Sequence, residues 1–179
     1  MGLARTVPGR DTPAQLHVLD CPPDPFGNGA PLRTFYASQG AGHAPKFFMM
    51  RGKVVANEER PERVDVIKRG LASLGLAAEG APPVDSAASA AVHSPRYVAF
   101  LETAWDRWQE LPGAGPEVVA NACAWDPASA YPAALVGQAG WHMGDLACPV
   151  GEHTYLAAAG AAGAAIAAAD CAGEAGQPV

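Results

Sequence analysis

The sequence predicts an α/β domain with a parallel sheet, of which only a part is visible. A short β-prone segment is followed by an amphipathic helix, then by a helix with clear capping signals, and later by a long alanine-rich helix. Strands that alternate with helices are typical of parallel α/β folds. Only one strand is convincing, and a sheet needs more strands than one to be stable. We therefore expect the domain to be incomplete.

Order is expected to begin at residue 32. Residues 1–31 are rich in proline and glycine, a composition typical of a flexible N-terminal extension. Residues 33–37 (RTFYA) form a short β-prone segment, and Gly40 and Gly42 follow it, so they predict a first strand and a turn.

Residues 43–52 are predicted to be a loop with an unusual composition. Four consecutive large apolar residues, Phe47 to Met50, lie within it. Two interpretations stay open. The segment folds back on the core, or it lines a pocket or a subunit contact.

The first long helix is predicted over residues 61–74. Pro61 is favoured in the first helical turn, and apolar residues recur at helical spacing behind it. The residues of this predicted apolar face are Val64, Ile67, Leu71 and Leu74. A short helical turn is predicted for residues 85–92, with Asp85 or Ser86 as its cap.

The next helix begins with the Ser94-Pro95 pair, an N-cap followed by a favoured first residue. Its apolar stripe consists of Tyr97, Leu101, Ala104, Trp105 and Trp108. A third long helix is predicted over residues 152–170, where Gly160 and Gly163 would permit close packing of a neighbour. Between these helices, residues 112–150 show no sustained periodicity and predict an ordered, irregular loop.

Composition excludes several classes of partner. The net charge is −6 and the twelve basic residues form no long run, so no nucleic-acid partner is expected. The longest uncharged stretch, residues 155–169, is shorter than the ~20 residues that span a bilayer, so it predicts a buried helix and no membrane partner. Four widely spread cysteines without a Cys-x-x-Cys pair predict free thiols and a cytoplasmic location.

Motifs that carry chemistry are scarce. The chain contains no Gly-x-Ser-x-Gly elbow and no phosphate-binding glycine loop. No two histidines have the three- or four-residue spacing that places two imidazoles on one helix face. His142 and Asp145 lie three residues apart, and with His153 they leave open a small metal-binding protein as one alternative. A Cys148–His153 nucleophile pair is a further, weaker hypothesis, since it requires spatial contact and an orienting group.

Several segments together resemble the histone deacetylase superfamily, nearest its bacterial branch of acetylpolyamine amidohydrolases. The most specific is residues 92–108 (VHSPRYVAFLETAWDRW). The other matching segments are residues 34–36, 43–52, 60–63, 136–141 and 145–155. The resemblance extends in order over residues 32–179, so this region is expected to be the N-terminal half of a deacetylase-like domain.

The resemblance implies an arginase–deacetylase fold and zinc-dependent hydrolysis of an N-acetyl amide. In the family, zinc polarises the acyl oxygen and activates water, while paired histidines move protons. This chemistry comes from a Gly-His-His motif, an Asp-x-His pair, a further Asp and a late Tyr, and the chain contains neither motif. The family's Gly-His-His motif would follow a strand that begins at Pro178-Val179. No zinc is expected to bind this chain.

The resemblance also suggests peripheral site residues. Arg63 corresponds to an arginine near the interior channel beneath the family's site. The candidate rim residues are Phe48, Met50, Trp141 and Asp145. The segments 43–52 and 112–147 are candidates for a homodimer contact.

The chain departs from the family's pattern at several positions. The usual His-Asp pair reads His93-Ser94. Positions where polyamine-hydrolysing members carry carboxylates read Phe48, Val136 and Ala147. Carboxylates attract cations, so their loss favours a larger or more neutral acylated amine over a polyamine.

The leading hypothesis is therefore a fragment of a zinc-dependent deacetylase or amidohydrolase, inactive as this chain. Its substrate in a complete protein would be a small acylated amine or acetyl-lysine. The alternative is a non-catalytic half-domain that binds a partner through an exposed sheet edge and apolar loop.

Overall fold

The computed structural model describes residues 32–123 and 130–175. The predicted extension at residues 1–31 and the predicted strand start at Pro178-Val179 lie outside the described residues, so both stay predictions. The elements are β1 (Thr34–Tyr36), a single-turn 3-10 helix (Ser38–Gly42), β2 (Phe47–Met50), β3 (Lys53–Ala56), α1 (Glu62–Ser73), β4 (Ala78–Gly80), α2 (Ser86–Val92), α3 (Pro95–Gln109), α4 (Leu135–His142) and α5 (Thr154–Ala175).

Strands β1 and β4 pair in parallel, with Thr34 opposite Ala78 and Tyr36 opposite Gly80. The predicted first strand is therefore confirmed, and so is the parallel arrangement. Parallel neighbours require a crossover connection, which α1 supplies between them. The sequence did not indicate β4, because the residues Ala-Glu-Gly have low β-propensity and form a strand only beside β1.

Strands β2 and β3 form an antiparallel hairpin, with Phe47 opposite Ala56 and Met50 opposite Lys53. The prediction of a loop over residues 43–52 was wrong here. Arg51 and Gly52 connect the strands with φ angles of 53° and 75°. Two adjacent residues with positive φ are what a tight hairpin turn requires, and arginine is an uncommon residue for that role. The usual turn signal was therefore missing.

Helices α1, α2 and α3 agree with the predicted segments. The Asp85 carboxylate accepts a hydrogen bond from Ala88 N at 2.7 Å, and Ser94 Oγ accepts one from Tyr97 N at 3.2 Å. Both predicted caps are thus confirmed. The apolar face predicted for α1 is not buried, because Ile67 and Leu74 are 58% and 52% exposed.

The core lies where α3 meets α4. Phe100 and Ala104 of α3 pack with Leu135 and Ala139 of α4. The prediction that residues 112–150 are irregular throughout was therefore wrong. Two glycines weaken the helical pattern of α4, yet Gly140 is needed there because any side chain would overlap the carbonyl oxygen of Ala122.

Helix α5 is longer than predicted, since it continues through Gly173. By length and composition alone, the helical segment 154–173 could cross a membrane, since it has 20 residues and a mean hydropathy of 1.4. In this structure, however, α5 packs on the sheet. Its Gly160 lies against Ala37, and the carbonyl of Ala159 accepts a hydrogen bond from Val84 N at 3.0 Å. The predicted absence of a membrane partner stays a prediction.

Close packing at Gly163 predicts a sharp difference between two helical glycines. A side chain at Gly163 would overlap the Pro82 carbonyl oxygen, whereas nothing lies within 4 Å of the equivalent position at Gly70 in α1. Gly163→Ala should lower the free energy of unfolding by about 1–3 kcal/mol, because backbone must shift. Gly70→Ala should raise it by about 0.5–1 kcal/mol through helix propensity. Urea unfolding followed by tryptophan fluorescence measures both values.

The two variants control for each other, because both replace a helical glycine by alanine. Equal effects of the same sign would contradict the packing of α5 described above.

Candidate functional site

Two of the predicted site residues, Phe48 and Arg63, line one surface depression. We call it the rim depression, and its volume is about 530 Å³. It is lined by Phe48, Asn57, Glu58, Glu59, Arg63 and Ala147. Strand β2 supplies Phe48, the first turn of α1 supplies Arg63, and the segment before α5 supplies Ala147. The sequence separates these three elements by up to 99 positions, yet the fold brings them together.

Backbone hydrogen bonds hold β2 against the segment before α5. Met49 N donates to the carbonyl of Leu146 at 3.0 Å. Asn57 N donates to the carbonyl of Lys46 at 3.1 Å and so closes the hairpin's open end. These bonds explain why the side chains of Phe48 and Ala147 face the same depression.

A buried carboxylate fixes the start of β2. Glu117 is only 4% exposed, and one of its oxygens accepts a hydrogen bond from Lys46 N at 2.9 Å. Buried carboxylates are costly unless they are hydrogen-bonded, so this residue has a structural role that sequence reasoning missed. No local signal marks it, because its partner lies 71 positions earlier.

The rim depression adjoins a second space of about 410 Å³, which we call the inner cavity. The two share Asn57, Glu59 and Ala147. The remaining lining of the inner cavity is His43, Pro45, Tyr97, Phe100, Leu101, His142, Met143, Cys148, Pro149, Val150, Thr154 and Ala158. Apart from Glu59 this lining carries no formal charge when its histidines and thiol are neutral. The site is thus a charged rim over a mainly apolar interior.

The charges at the rim partly cancel. Arg63 of α1 forms an ion pair with Glu59, four residues earlier, and both side chains are more than half exposed. An exposed pair of this kind contributes little to stability, and both of its residues line the rim depression. Two carboxylates, Glu58 and Glu59, and one guanidinium leave this rim with a net charge of −1.

The other three predicted rim residues do not line either space. Met50 lies at the end of the hairpin and is 47% exposed. Trp141 of α4 packs edge-on against Tyr131, with ring centroids 5.6 Å apart. Asp145 accepts a hydrogen bond from Ala147 N at 2.8 Å. Asp145 therefore shapes the turn that presents Ala147, while a rim role for Met50 and Trp141 stays a prediction.

His142 belongs to an aromatic cluster in the inner cavity. Its Nε2 lies 2.9 Å from the hydroxyl of Tyr131, and its ring stacks near Phe100 with centroids 4.8 Å apart. Burial, and secondly the charge of Arg96, lower the pKa of His142 below its ordinary value of 6.5. The imidazole is therefore neutral at pH 7. The sequence suggested this residue only as a polar loop residue or a metal ligand.

Tyr131 and Arg96 complete this cluster, and sequence reasoning singled out neither. The guanidinium of Arg96 lies over the Tyr131 ring at 4.3 Å from its centroid. Burial raises the pKa of Tyr131 above its ordinary value, so its hydroxyl keeps its proton and can donate to His142.

Cys148 is not set up as a nucleophile. Its sulfur lies 3.5 Å from the carboxylate of Asp145. Burial, and then the neighbouring Asp145, raise the pKa of the Cys148 thiol. A reactive cysteine needs a stabilised thiolate, and this environment favours the protonated thiol. The hypothesis of a Cys148–His153 pair therefore finds no support in the surroundings of the sulfur.

The described residues do not fit a catalytic zinc. Within residues 32–123 and 130–175, no three His, Cys, Asp or Glu side chains converge to hold a metal ion. A catalytic zinc takes about three protein ligands. The hypothesis of a metal site built from His142, Asp145 and His153 was wrong, because His142 pairs with Tyr131 and Asp145 with Ala147 N.

The neutral state of His142 makes stability depend on pH. The folded protein lowers the pKa of this base, so protonation favours the unfolded chain. His142 contributes fully to the free energy of unfolding at pH values above 6.5, the ordinary pKa of histidine in the unfolded chain. This contribution is lost as the pH falls through the lower pKa of the folded protein. His142→Gln, which is always neutral, should therefore flatten the decline in the urea midpoint between pH 7.5 and 5.

A matched control is His93→Gln. His93 lies at the end of α2, is exposed, and packs edge-on against Tyr97. This variant removes a histidine but retains His142, so a comparison of the two variants shows whether a change in slope belongs to His142. If the urea midpoint of the His142 variant still fell as steeply between pH 7.5 and 5 as that of the parent chain, His142 would not be the group responsible for the pH dependence.

The chain is similar in sequence and in structure to known proteins. Residues 57–177 match the sequence profile of the family described as histone deacetylase domain. The acetylpolyamine amidohydrolase of Burkholderia pseudomallei (strain 1710b) is 32% identical over 139 residues, which is 77% of this chain and 40% of that protein. The crystal structure of acetylpolyamine aminohydrolase from Burkholderia pseudomallei, from an iodide soak, has a TM-score of 0.73 and 31% identity.

That structural match covers 80% of this chain and 42% of the other chain. The chain thus spans about two fifths of the length of the relatives it matches. These matches confirm the resemblance and the arginase–deacetylase type of fold that the sequence predicted.

Proposed function

The chain belongs to the histone deacetylase domain family, and from this premise we propose that it supplies the entrance side of an amidohydrolase domain for N-acetylated amines. The zinc ligands and the proton-transferring residues of that domain lie outside the described residues. The proposal rests on one combination of features. The family match is long and the rim depression is formed, yet no three metal-binding side chains converge among the described residues.

The residues of this chain would bind and orient the substrate. An acylated amine that enters at the rim passes Phe48 and Ala147, then reaches the apolar lining of the inner cavity. Apolar walls with a few polar groups are typical of small-molecule sites. Zinc, where the complete domain holds it, would polarise the acyl oxygen.

With a net charge of −1, the rim attracts a cationic amine less strongly than it would with carboxylates at positions 48 and 147. Phe48 and Ala147 line the rim depression where polyamine-hydrolysing members are expected to carry carboxylates. Val136, the third such position, packs instead against the core cluster. The carboxylate of Glu59 is engaged by Arg63, which leaves Glu58 as the rim carboxylate without that ion pair. A longer or neutral acylated amine, including acetyl-lysine in a peptide, suits this rim better than a polyamine.

The proposal predicts that the 179-residue chain is catalytically silent. The purified chain should retain less than about 0.1 zinc per molecule after dialysis, because too few ligands converge. It should also release no detectable acetate from acetylated putrescine or from an acetyl-lysine peptide. Metal analysis and an acetate assay measure both.

The companion measurement is the DNA sequence downstream of Val179, read in all frames. Codons for Gly-His-His and Asp-x-His there would support the proposal. Stoichiometric zinc together with amide hydrolysis by the 179-residue chain would overturn it.

If that reading frame continues, the longer product allows a test of the rim. Phe48→Glu adds a carboxylate to the rim depression and should raise kcat/KM for an acetylated diamine by about fivefold relative to an acetyl-lysine peptide. A single surface charge pair contributes up to about 1 kcal/mol, which corresponds to this factor. Val66→Glu on the exposed side of α1 is the matched control, since Val66 is 59% exposed and lines no part of the rim. Equal shifts in both variants would refute a rim role for Phe48.

A second candidate function is a non-catalytic half-domain that binds another protein. The apolar surface exposed on α1 and α5, with Ile67 58% and Ile166 47% exposed, favours it. A non-coding region after Val179, together with a monomeric chain that melts cooperatively, would favour this candidate over the first.

A further inference from the structure

The carboxylate of Glu117 is only half satisfied. Its Oε1 accepts the hydrogen bond from Lys46 N, whereas its Oε2 is buried and has no hydrogen-bond partner in the part of the chain that the structure describes. Glu117 is 4% exposed, and a buried carboxylate oxygen without a donor raises the free energy of the folded state. A bound molecule that donates a hydrogen bond to Oε2 would remove this cost.

Glu117 lines a cavity of about 210 Å³, which we call the Glu117 cavity. Gly151 lies in its wall, and a side chain at that position would come within 3.7 Å of Glu117 Oε1. Glycine therefore keeps the space beside the carboxylate open. A water molecule takes about 30 Å³ in the liquid, so the cavity has room for about seven small heavy atoms. It shares His43, Pro45 and Thr154 with the inner cavity and so lies next to it.

The charge of the lining favours a cation. Glu117 and Glu152 are negative and Lys46 is positive, so the charged side chains sum to −1 when the lining histidines are neutral. Burial strengthens the attraction between Glu117 and a cation, because the effective dielectric constant is low there. Among residues 32–123 and 130–175, no three His, Cys, Asp or Glu side chains converge to hold a metal ion, which argues against a transition metal.

Apolar groups in the same wall favour an organic cation over an inorganic one. Trp105, Pro45 and Pro116 line the cavity together with Glu117. The face of a tryptophan attracts a nearby cation, and all three side chains offer apolar surface to a short alkyl chain. A primary ammonium group on such a chain matches the charge, the apolar wall and the volume of the cavity.

We propose that the Glu117 cavity binds a short alkylammonium ion, which donates a hydrogen bond to Glu117 Oε2. A charge-assisted bond of this kind is stronger than one between neutral groups. The site does not depend on the proposed function, because it needs neither zinc nor a residue outside the described part of the chain.

The test titrates butylammonium chloride into the ¹⁵N-labelled 179-residue chain at pH 7.5 and constant ionic strength. Lys46 N donates to the Glu117 carboxylate, and Trp105 lines the cavity. The NMR signals of the Lys46 amide and the Trp105 indole N–H should therefore shift together and saturate, with a Kd of about 1 mM. The neutral analogue 1-butanol should bind about tenfold more weakly or worse, because it lacks the charge.

Two matched variants locate the ammonium group. Glu117→Gln keeps the size of the side chain and removes its charge, so it should raise the Kd for butylammonium by about tenfold or more. Glu102→Gln removes the same charge from an exposed residue of α3 that does not line the cavity, and it should change the Kd by less than about twofold. Circular dichroism checks that both variants fold.

Equal Kd values for the two folded variants would overturn the proposal. If Glu117→Gln does not fold, the parent chain decides. Shifts of the Lys46 and Trp105 signals that do not saturate, or that 1-butanol or sodium chloride reproduces at the same concentration, would show that the cavity holds only water or unselected ions. Saturation by butylammonium alone would support the site.

Discussion

Close contact between α5 and the two parallel strands is the constraint on which the rest of the structure depends. Gly160 and Gly163 place the helix backbone directly against Ala37 and Pro82, the residues that follow β1 and β4. The approach is close enough for the Ala159 carbonyl to accept a hydrogen bond from Val84 N. Any side chain at Gly163 would push the helix away from the sheet.

This contact is also what attaches an alanine-rich helix to the sheet, although most of α5 is not buried, contrary to the buried helix that the sequence predicted. Alanine buries little area per residue, so it can stabilise a fold only where backbones approach closely. The glycines that weaken the helix in isolation allow that approach. Helix α5 is long and apolar enough to cross a membrane, yet here it contacts the residues that follow the parallel strands through its glycines.

The sequence predicted elements that carry their own local signals. The caps of α2 and α3, formed by Asp85 and Ser94, depend on residues within three positions, and both appear as expected. Strand β4 has no such signal, because it exists only through pairing with β1, more than forty residues earlier. The sequence did not predict helix α4 for a similar reason. Glycine disfavours a helix, and the reason for a glycine at position 140 is its close contact with the carbonyl of Ala122, which the local sequence does not indicate.

The site shows the same division between local and distant causes. Family resemblance singled out Phe48 and Arg63, and the fold brings both to the rim depression. Met50 shares a face of β2 with Phe48 but lies about 7 Å farther along the strand, at the turn end of the hairpin, and it does not line the rim depression. Tyr131 and Glu117 escaped notice because their roles depend on partners, His142 and Lys46 N, that only the folded chain brings near.

The position of the inner cavity follows from the direction of the sheet. In open α/β sheets, ligands bind beyond the carboxyl ends of the parallel strands. His43 lies beyond the carboxyl end of β1, and Thr154 begins α5. Gly160 contacts Ala37 just after β1, and Cys171 accepts a hydrogen bond from Arg33 just before it, so α5 runs antiparallel to β1 and its N-terminus reaches the same end. The two side chains meet there, with Thr154 Oγ1 at 3.3 Å from His43 Nδ1. The cavity they line therefore lies at the edge of the sheet where this class of fold places its ligands, because both side chains reach that edge from elements on either side of it.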